Sequence, residues 1–277
     1  MLIHVGAPLA PHDLPGAWTL DPLLLATLAV PAALYGKGAR AMPAFTRRRQ
    51  RWFWGGMAAL VVALVSPLDQ LGDTLFSAHM VQHLVLIGVA APLLALAEPL
   101  APMLRALPRG GRRAAARMGR RGEPLRRLLR LLVTPGVALL AHLAALWAWH
   151  LPGPYESALR HQGVHAAEHL SFMVTALAFW WAVLRPLRGA GGEAAAVALA
   201  FVAIVQCGVL GALITFASHP WYAAHGPGAR AWGLTLLEDQ QLAGLLMWVP
   251  AGIPYLWVAL VVLGRRLQRG DRPLAHA

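Results

Sequence analysis

Two histidine pairs carry the strongest chemical signal in this sequence of 277 residues. His79 and His83 are four residues apart, and so are His165 and His169, and each pair begins a long apolar run. On a helix, residues at i and i+4 share one face, with β-carbons about 5–6 Å apart, so one metal ion can bridge each pair. Imidazole suits copper, zinc, iron and nickel, and four nitrogen donors are typical of Cu(II) or of tetrahedral Zn(II). The two pairs together predict a site for a metal ion or a haem.

The pairs lie in a chain composed of long apolar runs. Hydrophobic residues make up 58% of the sequence and charged residues 13%. Apolar runs of about 17 to 25 residues are long enough to cross a bilayer as helices. We therefore predict an all-α polytopic membrane protein with seven transmembrane helices. The predicted spans are 19–36, 52–68, 76–97, 129–150, 165–185, 194–217 and 240–264.

Lysine and arginine are concentrated in alternate connections between these spans. The connections 37–51, 98–130, 185–193 and 265–277 hold 22 of the 24 basic residues. The positive-inside rule then puts the N-terminus outside and the C-terminus in the cytoplasm, which requires an odd number of spans. The net charge of +12 is therefore interpreted as membrane topology. No nucleic acid is expected as a partner, because no aromatic-basic surface motif accompanies the charge.

The chain is expected to have three parts: an outer N-terminal segment over 1–18, a membrane domain over 19–264 and a cytoplasmic tail over 265–277. The N-terminus lacks the basic start of a signal peptide, so the first span is expected to be retained. Within the membrane domain, the Arg-rich cytoplasmic connection 98–128 either lies on anionic lipid or forms a mobile, solvated loop. The single cysteine, Cys207, excludes an internal disulfide and is expected to pack as a small apolar residue, although it can in principle reach a metal.

Further histidines fall on the same side of the membrane as the two pairs. On the predicted topology every histidine except His276 lies in the outer half or in outer loops. His150 ends the fourth span at the depth of the pairs, whereas His142 lies about 12 Å away along the same helix. The remaining candidates are solvated residues of outer loops that can also recruit metal, namely His4, His12, His219 and His225.

Three other side chains at this depth carry donor atoms. Asp239 opens the seventh helix, where it either ligates a metal or supports an imidazole, or else caps the start of the helix. Met80 either adds a thioether for Cu(I) or packs against its neighbours. Glu168 is adjacent to His169 and is expected to point about 100° away from it.

These residues recur within three longer stretches that have a specific joint spacing. The stretches are His79-Met-Val-Gln-His83 continuing to Ala91-Pro92-Leu93, Trp149-His150-Leu-Pro152 continuing through Tyr155 to His165-Ala-Ala-Glu168-His169, and Glu238-Asp239-Gln240-Gln241-Leu-Ala-Gly244 continuing to Met247-Trp248-Val-Pro250. Together they resemble the CtaG family of cytochrome c oxidase assembly factors, over residues 20–265. The resemblance implies a seven-helix protein of the bacterial inner membrane that is needed to make active haem–copper oxidase and is thought to act in copper delivery. The matching polar positions are His79, His83, His150, His165, His169, Asp239 and Gln240.

The resemblance and the histidine pattern lead to one hypothesis. Copper is held among the four paired histidines, with His150 and Asp239 as additional ligands or supporting partners. The ion is passed by ligand exchange to an oxidase subunit, and a periplasmic copper donor is a further candidate partner. Zinc and haem are the alternatives to copper.

Three other functions compete with this hypothesis. His165, Glu168 and His169 match the HxxEH pattern of inverzincin metalloproteases, in which the glutamate activates a zinc-bound water. No soluble catalytic domain surrounds the motif, so an enzyme is not expected. Histidines on facing helices can instead ligate haem. In the third alternative the protein is a scaffold for an oxidase subunit, and its histidines are only polar contacts between helices.

Overall fold

The protein is helical throughout the part of the chain that a computed structural model describes. No β-strand occurs in that part, which confirms the predicted all-α class. The ends of the predicted outer segment and cytoplasmic tail, with His4 and His276, lie outside the described residues. The described residues are 8–42, 46–121, 123–189 and 191–270.

Fifteen α-helices are numbered here in chain order. They are α1 (Pro22–Arg40), α2 (Arg47–Leu64), α3 (Pro67–Thr74), α4 (Phe76–Leu84), α5 (Ala91–Ala97), α6 (Leu100–Ala106), α7 (Arg109–Arg121), α8 (Glu123–Leu132), α9 (Pro135–Trp149), α10 (Pro152–Arg160), α11 (Gln162–Val183), α12 (Glu193–Thr215), α13 (Gly226–Ala231), α14 (Leu236–Trp248) and α15 (Ile253–Gly270). A π-helical segment, Val85–Ala90, joins α4 to α5. Short 3-10 helices are Pro11–Gly16, Arg185–Arg188, Ala223–His225 and Pro250–Gly252.

Five helical segments of the described chain are long and apolar enough to cross a membrane, and there are up to seven if each of two bent helix pairs forms one span. The bent pairs are α2 with α3, at 43°, and the end of α8 with α9, at 78°. Each of the seven predicted spans overlaps one of these segments. The predicted span 129–150 is interrupted because α9 restarts at Pro135, a residue that favours the first position of a helix. The five segments are Pro22–Arg40, Phe76–Ala97, Gln162–Val183, Glu193–Thr215 and Leu236–Gln268.

A row of exposed apolar side chains runs along α12. Phe201, Val205, Val209 and Leu213 are spaced by four residues and all project from the bundle. In water such a row would be costly, whereas lipid tails are as apolar as the side chains themselves. The outer face of α12 is therefore suited to direct contact with lipid.

The Arg-rich connection between the third and fourth predicted spans is helical over its described residues. Its residues form the helices α6, α7 and α8, and its contact with anionic lipid stays a prediction. Alanine, arginine and leucine, which dominate this stretch, are strong helix formers. The helices are separated near Pro108, where the missing N–H of proline interrupts the backbone ladder.

Proline also shapes the third and the last predicted spans, which carry the two histidines of α4 and Asp239. Pro92 has no N–H, and the chain before it widens into the π-helical segment. The carbonyl oxygen of Ile87 accepts a hydrogen bond of 2.7 Å from Trp180 Nε1 on α11. A neighbouring helix thus satisfies a carbonyl group in the turn before proline, as is usual in membrane helices. At Pro250 the last span divides into α14 and α15 around a 3-10 turn.

The helices α12 and α14 cross in backbone contact. A β-carbon on Gly244 of α14 would lie 2.5 Å from the Thr215 nitrogen and 2.7 Å from the Gly211 carbonyl oxygen of α12. Small residues at a crossing permit the close approach on which helix association in membranes depends. This crossing fixes the position of α14, which packs in turn against α4.

Gly244→Ala is expected to force α12 and α14 apart, because the added methyl group meets backbone atoms that cannot rotate away. Overpacking of this kind costs about 1–3 kcal/mol, so the melting temperature of the protein in detergent should fall. Gly136→Ala is the matched control, since nothing lies within 4 Å of a β-carbon at Gly136. Equal melting temperatures for the two variants would contradict the close crossing.

Candidate metal centre

The two histidine pairs face each other across α4 and α11. His79 and His83 lie on successive turns of α4 with ring centroids 4.2 Å apart, and His165 and His169 lie on successive turns of α11 with centroids 4.3 Å apart. Across the two helices, the His79 ring is 5.6 Å from that of His165, and the His83 ring is 5.4 Å from that of His169. All four predicted imidazoles therefore converge between α4 and the N-terminal half of α11.

Glu168 joins these histidines, although the sequence predicted it beside a metal only in the metalloprotease alternative. Its side chain is fully buried, and Oε1 lies 3.7 Å from His79 Nε2 and 3.8 Å from His83 Nε2. The expectation that the Glu168 side chain points about 100° away from that of His169 does not conflict with this position, because it compares only these two adjacent residues. Glu168 is three residues after His165 and so shares its helix face, which is the signal that could have identified it. We call these four histidines and Glu168 the histidine cluster.

The histidine cluster contains two overlapping sets of three candidate ligands. One set is His79, His83 and His169, and the other is His79, His165 and Glu168. Within each set the ligand atoms all lie within 4.8 Å of one another. The nitrogen ligands of a tetrahedral ion, at bond lengths of about 2.0–2.1 Å, are about 3.3 Å apart. To coordinate one ion, the ligand atoms of either set would have to move toward this spacing.

Eight buried polar atoms of the histidine cluster have no hydrogen-bond partner among the described residues. A buried polar group left unpaired costs about 1–3 kcal/mol, and the large majority of such groups in proteins are paired. A cation can bind both the lone pairs of imidazole nitrogens and the oxygens of a carboxylate. The residues therefore fit a metal ion. The eight atoms are Nδ1 and Nε2 of His79 and His83, Nε2 of His165 and His169, and both carboxylate oxygens of Glu168.

His150 lies beside the histidine cluster and belongs to neither set of candidate ligands. Its Nδ1 hydrogen-bonds the Leu146 carbonyl oxygen at 2.6 Å, and its Nε2 lies 3.3 Å from Met80 Sδ. The backbone oxygen of His150 accepts a hydrogen bond of 2.7 Å from the Tyr222 hydroxyl. The ring centroid is 6.4 Å from that of His83. Ligation of a shared ion by His150 stays a prediction.

Asp239 caps a helix, but not the helix that it opens. Its carboxylate accepts hydrogen bonds from Phe76 N at 2.7 Å, Ser77 N at 3.1 Å and Ser77 Oγ at 2.5 Å. Asp239 therefore holds the N-terminus of α4, the helix that carries His79 and His83. The sequence predicted that Asp239 either caps a helix or ligates a metal. The structure shows capping, of α4 rather than of α14, and direct ligation stays a prediction. The adjacent Gln240 accepts from the Trp221 backbone N–H at 2.6 Å and so orders the loop before α13.

The other described histidines lie apart from the histidine cluster. His142 is buried on α9, where its Nε2 shares a hydrogen bond of 3.1 Å with the Tyr255 hydroxyl. The side chains of His12, His161 and His219 are exposed.

A buried aromatic layer covers the α4 side of the histidine cluster. The Tyr155 ring is 5.3 Å from that of His79, and the Tyr155 hydroxyl shares a hydrogen bond of 2.7 Å with His225 Nε2. Burial raises the pKa of Tyr155 and lowers the pKa of His225, so both groups are neutral in this contact. His225 was predicted to be a solvated residue of an outer loop. It is buried instead, because its ring packs against those of Phe76 and Tyr155.

The fold and the site together define a polytopic helical membrane protein with a candidate metal centre at one end of its spans. The family described as cytochrome c oxidase caa3 assembly factor, Caa3_CtaG, matches residues 32–269. The chain belongs to this family, which confirms the resemblance seen in its sequence. Its apolar helices and its family make it a multi-pass protein of the bacterial inner membrane.

Similar proteins occur in mycobacteria. The chain is 27% identical over 274 residues to an uncharacterized protein of Mycobacterium bovis, a match that covers 93% of this chain and 40% of the relative. It is 25% identical over 231 residues to an uncharacterized protein of Mycobacterium leprae, which covers 79% of this chain and 34% of the relative. The chain thus spans well under half the length of these relatives. No solved structure shows a significant match to it.

Proposed function

We propose that this protein binds copper at the histidine cluster and delivers it to a cytochrome c oxidase subunit during assembly. The observation that carries the proposal is the set of eight unpaired polar atoms that α4 and α11 bring together. Nitrogen-rich sites bind Cu(II) more tightly than other divalent ions of the first transition series. In this role copper is a cargo, and the protein itself is not an enzyme.

The proposed topology puts the histidine cluster on the outer side of the membrane. Seven spans result if each bent helix pair crosses the bilayer once. With 22 of the 24 basic residues on one side, the N-terminus is outside and the third span runs inward from its N-terminal end. Both α4 and α11 then begin at the outer surface, where a periplasmic copper donor can reach them.

The uneven burial of the histidine cluster supports transfer over permanent storage. His79 and His83 are buried, whereas His165 and His169 are only partly buried. Their Nε2 atoms are buried, but the partial exposure of these two residues makes α11 the side from which a ligand of the receiving protein would approach. Ligand exchange requires such an open side, because a coordinatively closed site releases its metal slowly.

The role in assembly is tested by replacing the gene in its native host with a His165→Ala/His169→Ala variant. We expect the oxidase to contain less copper and to lose activity, while the variant still accumulates in the membrane and still co-purifies with an oxidase subunit. The control is His161→Ala/His219→Ala, which removes two exposed histidines outside the histidine cluster. Unchanged oxidase copper in the first variant would overturn copper delivery and favour a metal-independent scaffold.

A further inference from the structure

A cavity of about 40 Å³ lies next to the histidine cluster, inside the helix bundle. It is large enough for an ion or a few water molecules, because about 10–15 Å³ accommodates one water. Three of its lining side chains carry sulfur, two carry imidazole and one carries a hydroxyl group. These side chains are Met80, Cys207, Met247, His83, His150 and Tyr255.

The contact between His150 and Met80 brings two electron pairs together. The carbonyl oxygen of Leu146 can only accept, so His150 Nδ1 is the nitrogen that donates in their 2.6 Å hydrogen bond. In a neutral imidazole Nε2 then carries a lone pair, and this lone pair lies 3.3 Å from the thioether sulfur of Met80. Neither atom has a proton to share. The two lone pairs repel each other, whereas a cation between them would attract both.

The separation of these two atoms suits a shared ion. With bonds of about 2.0 Å to nitrogen and about 2.3 Å to sulfur, as at zinc, atoms 3.3 Å apart subtend an angle of about 100° at the metal, close to tetrahedral. Met247 and Cys207 add two more sulfur atoms to the same cavity, and both side chains are buried. Thioether and thiol sulfur select soft ions, of which Cu(I) is the principal biological example.

We propose that this cavity is a second metal site, selective for Cu(I), in which His150 Nε2 and Met80 Sδ are ligands and Met247 or Cys207 supplies a further sulfur. We call it the sulfur cavity. His83 lines it and also belongs to the histidine cluster, so the two sites are contiguous. The histidine cluster suits Cu(II), and the sulfur cavity suits the reduced ion. The inference rests on the proposed function only in taking copper as the cargo.

The test uses the full chain in detergent with His165→Ala/His169→Ala, which impairs the histidine cluster and leaves the sulfur cavity intact. Cu(I) is supplied anaerobically, and X-ray absorption at the copper edge identifies the ligand atoms. We expect bound Cu(I) with sulfur in its coordination shell. Adding Met80→Leu should weaken Cu(I) binding at least about tenfold, because mutation of a residue that only supports a ligand already lowers metal affinity by that much. Adding Met57→Leu, which alters another buried methionine in a separate core cluster, should leave Cu(I) binding unchanged.

Selenomethionine labelling gives the same test without disturbing the packing around Met80. Copper bound in the sulfur cavity would then show a selenium neighbour, even if Met80→Leu fails to fold. A coordination shell of nitrogen and oxygen alone, in both the sulfur and the selenium forms, would overturn the inference. Failure of the proposed function is a different result, namely unchanged oxidase copper in cells that carry the variant histidine cluster.

Discussion

The His165→Ala/His169→Ala variant is expected to bind Cu(II) at least about 100-fold more weakly than the wild type, because two imidazole ligands are lost. Mutating a residue that only supports a ligand already lowers metal affinity by about 10- to 100-fold. His79→Ala/His83→Ala should have the same effect, since each set of candidate ligands draws on both helices. The measurement is copper per chain, by elemental analysis of protein purified without a histidine tag and loaded with Cu(II) under oxidising conditions. Loss in both variants would establish one shared site.

Two comparisons make this result specific. His161→Ala/His219→Ala should retain the wild-type copper content, because both side chains are exposed and lie outside the histidine cluster. Glu168→Gln keeps the shape of the side chain but removes its charge, and should weaken Cu(II) binding by about 10- to 100-fold. Absence of metal in the wild type after copper loading would contradict the copper site and favour the scaffold alternative. A Soret band in the purified protein would instead indicate haem.

Asp239→Ala is expected to destabilise the protein more than any other single change discussed here. Its buried carboxylate accepts from Phe76 N, Ser77 N and Ser77 Oγ, and no other acceptor for these groups is evident among the described residues. Each buried donor that is left without its acceptor costs about 1–3 kcal/mol. The start of α4 should fray, which displaces His79 and weakens copper binding indirectly. Thermal unfolding in detergent measures the effect.

The adjacent residue provides the control for Asp239. Glu238 is exposed and forms a capping box with Thr235 at the start of α14. Glu238→Ala should therefore cost only about 1 kcal/mol, the usual value of a helix cap. If Asp239→Ala lost copper without a change in thermal stability, Asp239 would be a direct ligand, and its capping role would not explain the loss.

The sequence by itself determined the class of the protein and the same-helix geometry of its candidate ligands. Long apolar runs in a lipid environment favour helices, since each backbone N–H and C=O group is then hydrogen-bonded within its own segment. The spacing of His79 with His83, and of His165 with His169, fixed each pair on one helix face because the α-helix has 3.6 residues per turn. Each predicted span overlaps a helical segment of the described chain, and two of them correspond to bent helix pairs.

Only the tertiary structure decided which polar residues meet across helices. Asp239 caps α4 from a position 163 residues away along the chain, Glu168 enters the histidine cluster, and His150 turns toward Met80. These contacts depend on how each helix is rotated and how deeply it packs. Gly244 and Gly211 set one such approach through backbone contact. A single sequence specifies neighbours within a helix through its fixed geometry, whereas contacts between helices arise from the packing of all the side chains together.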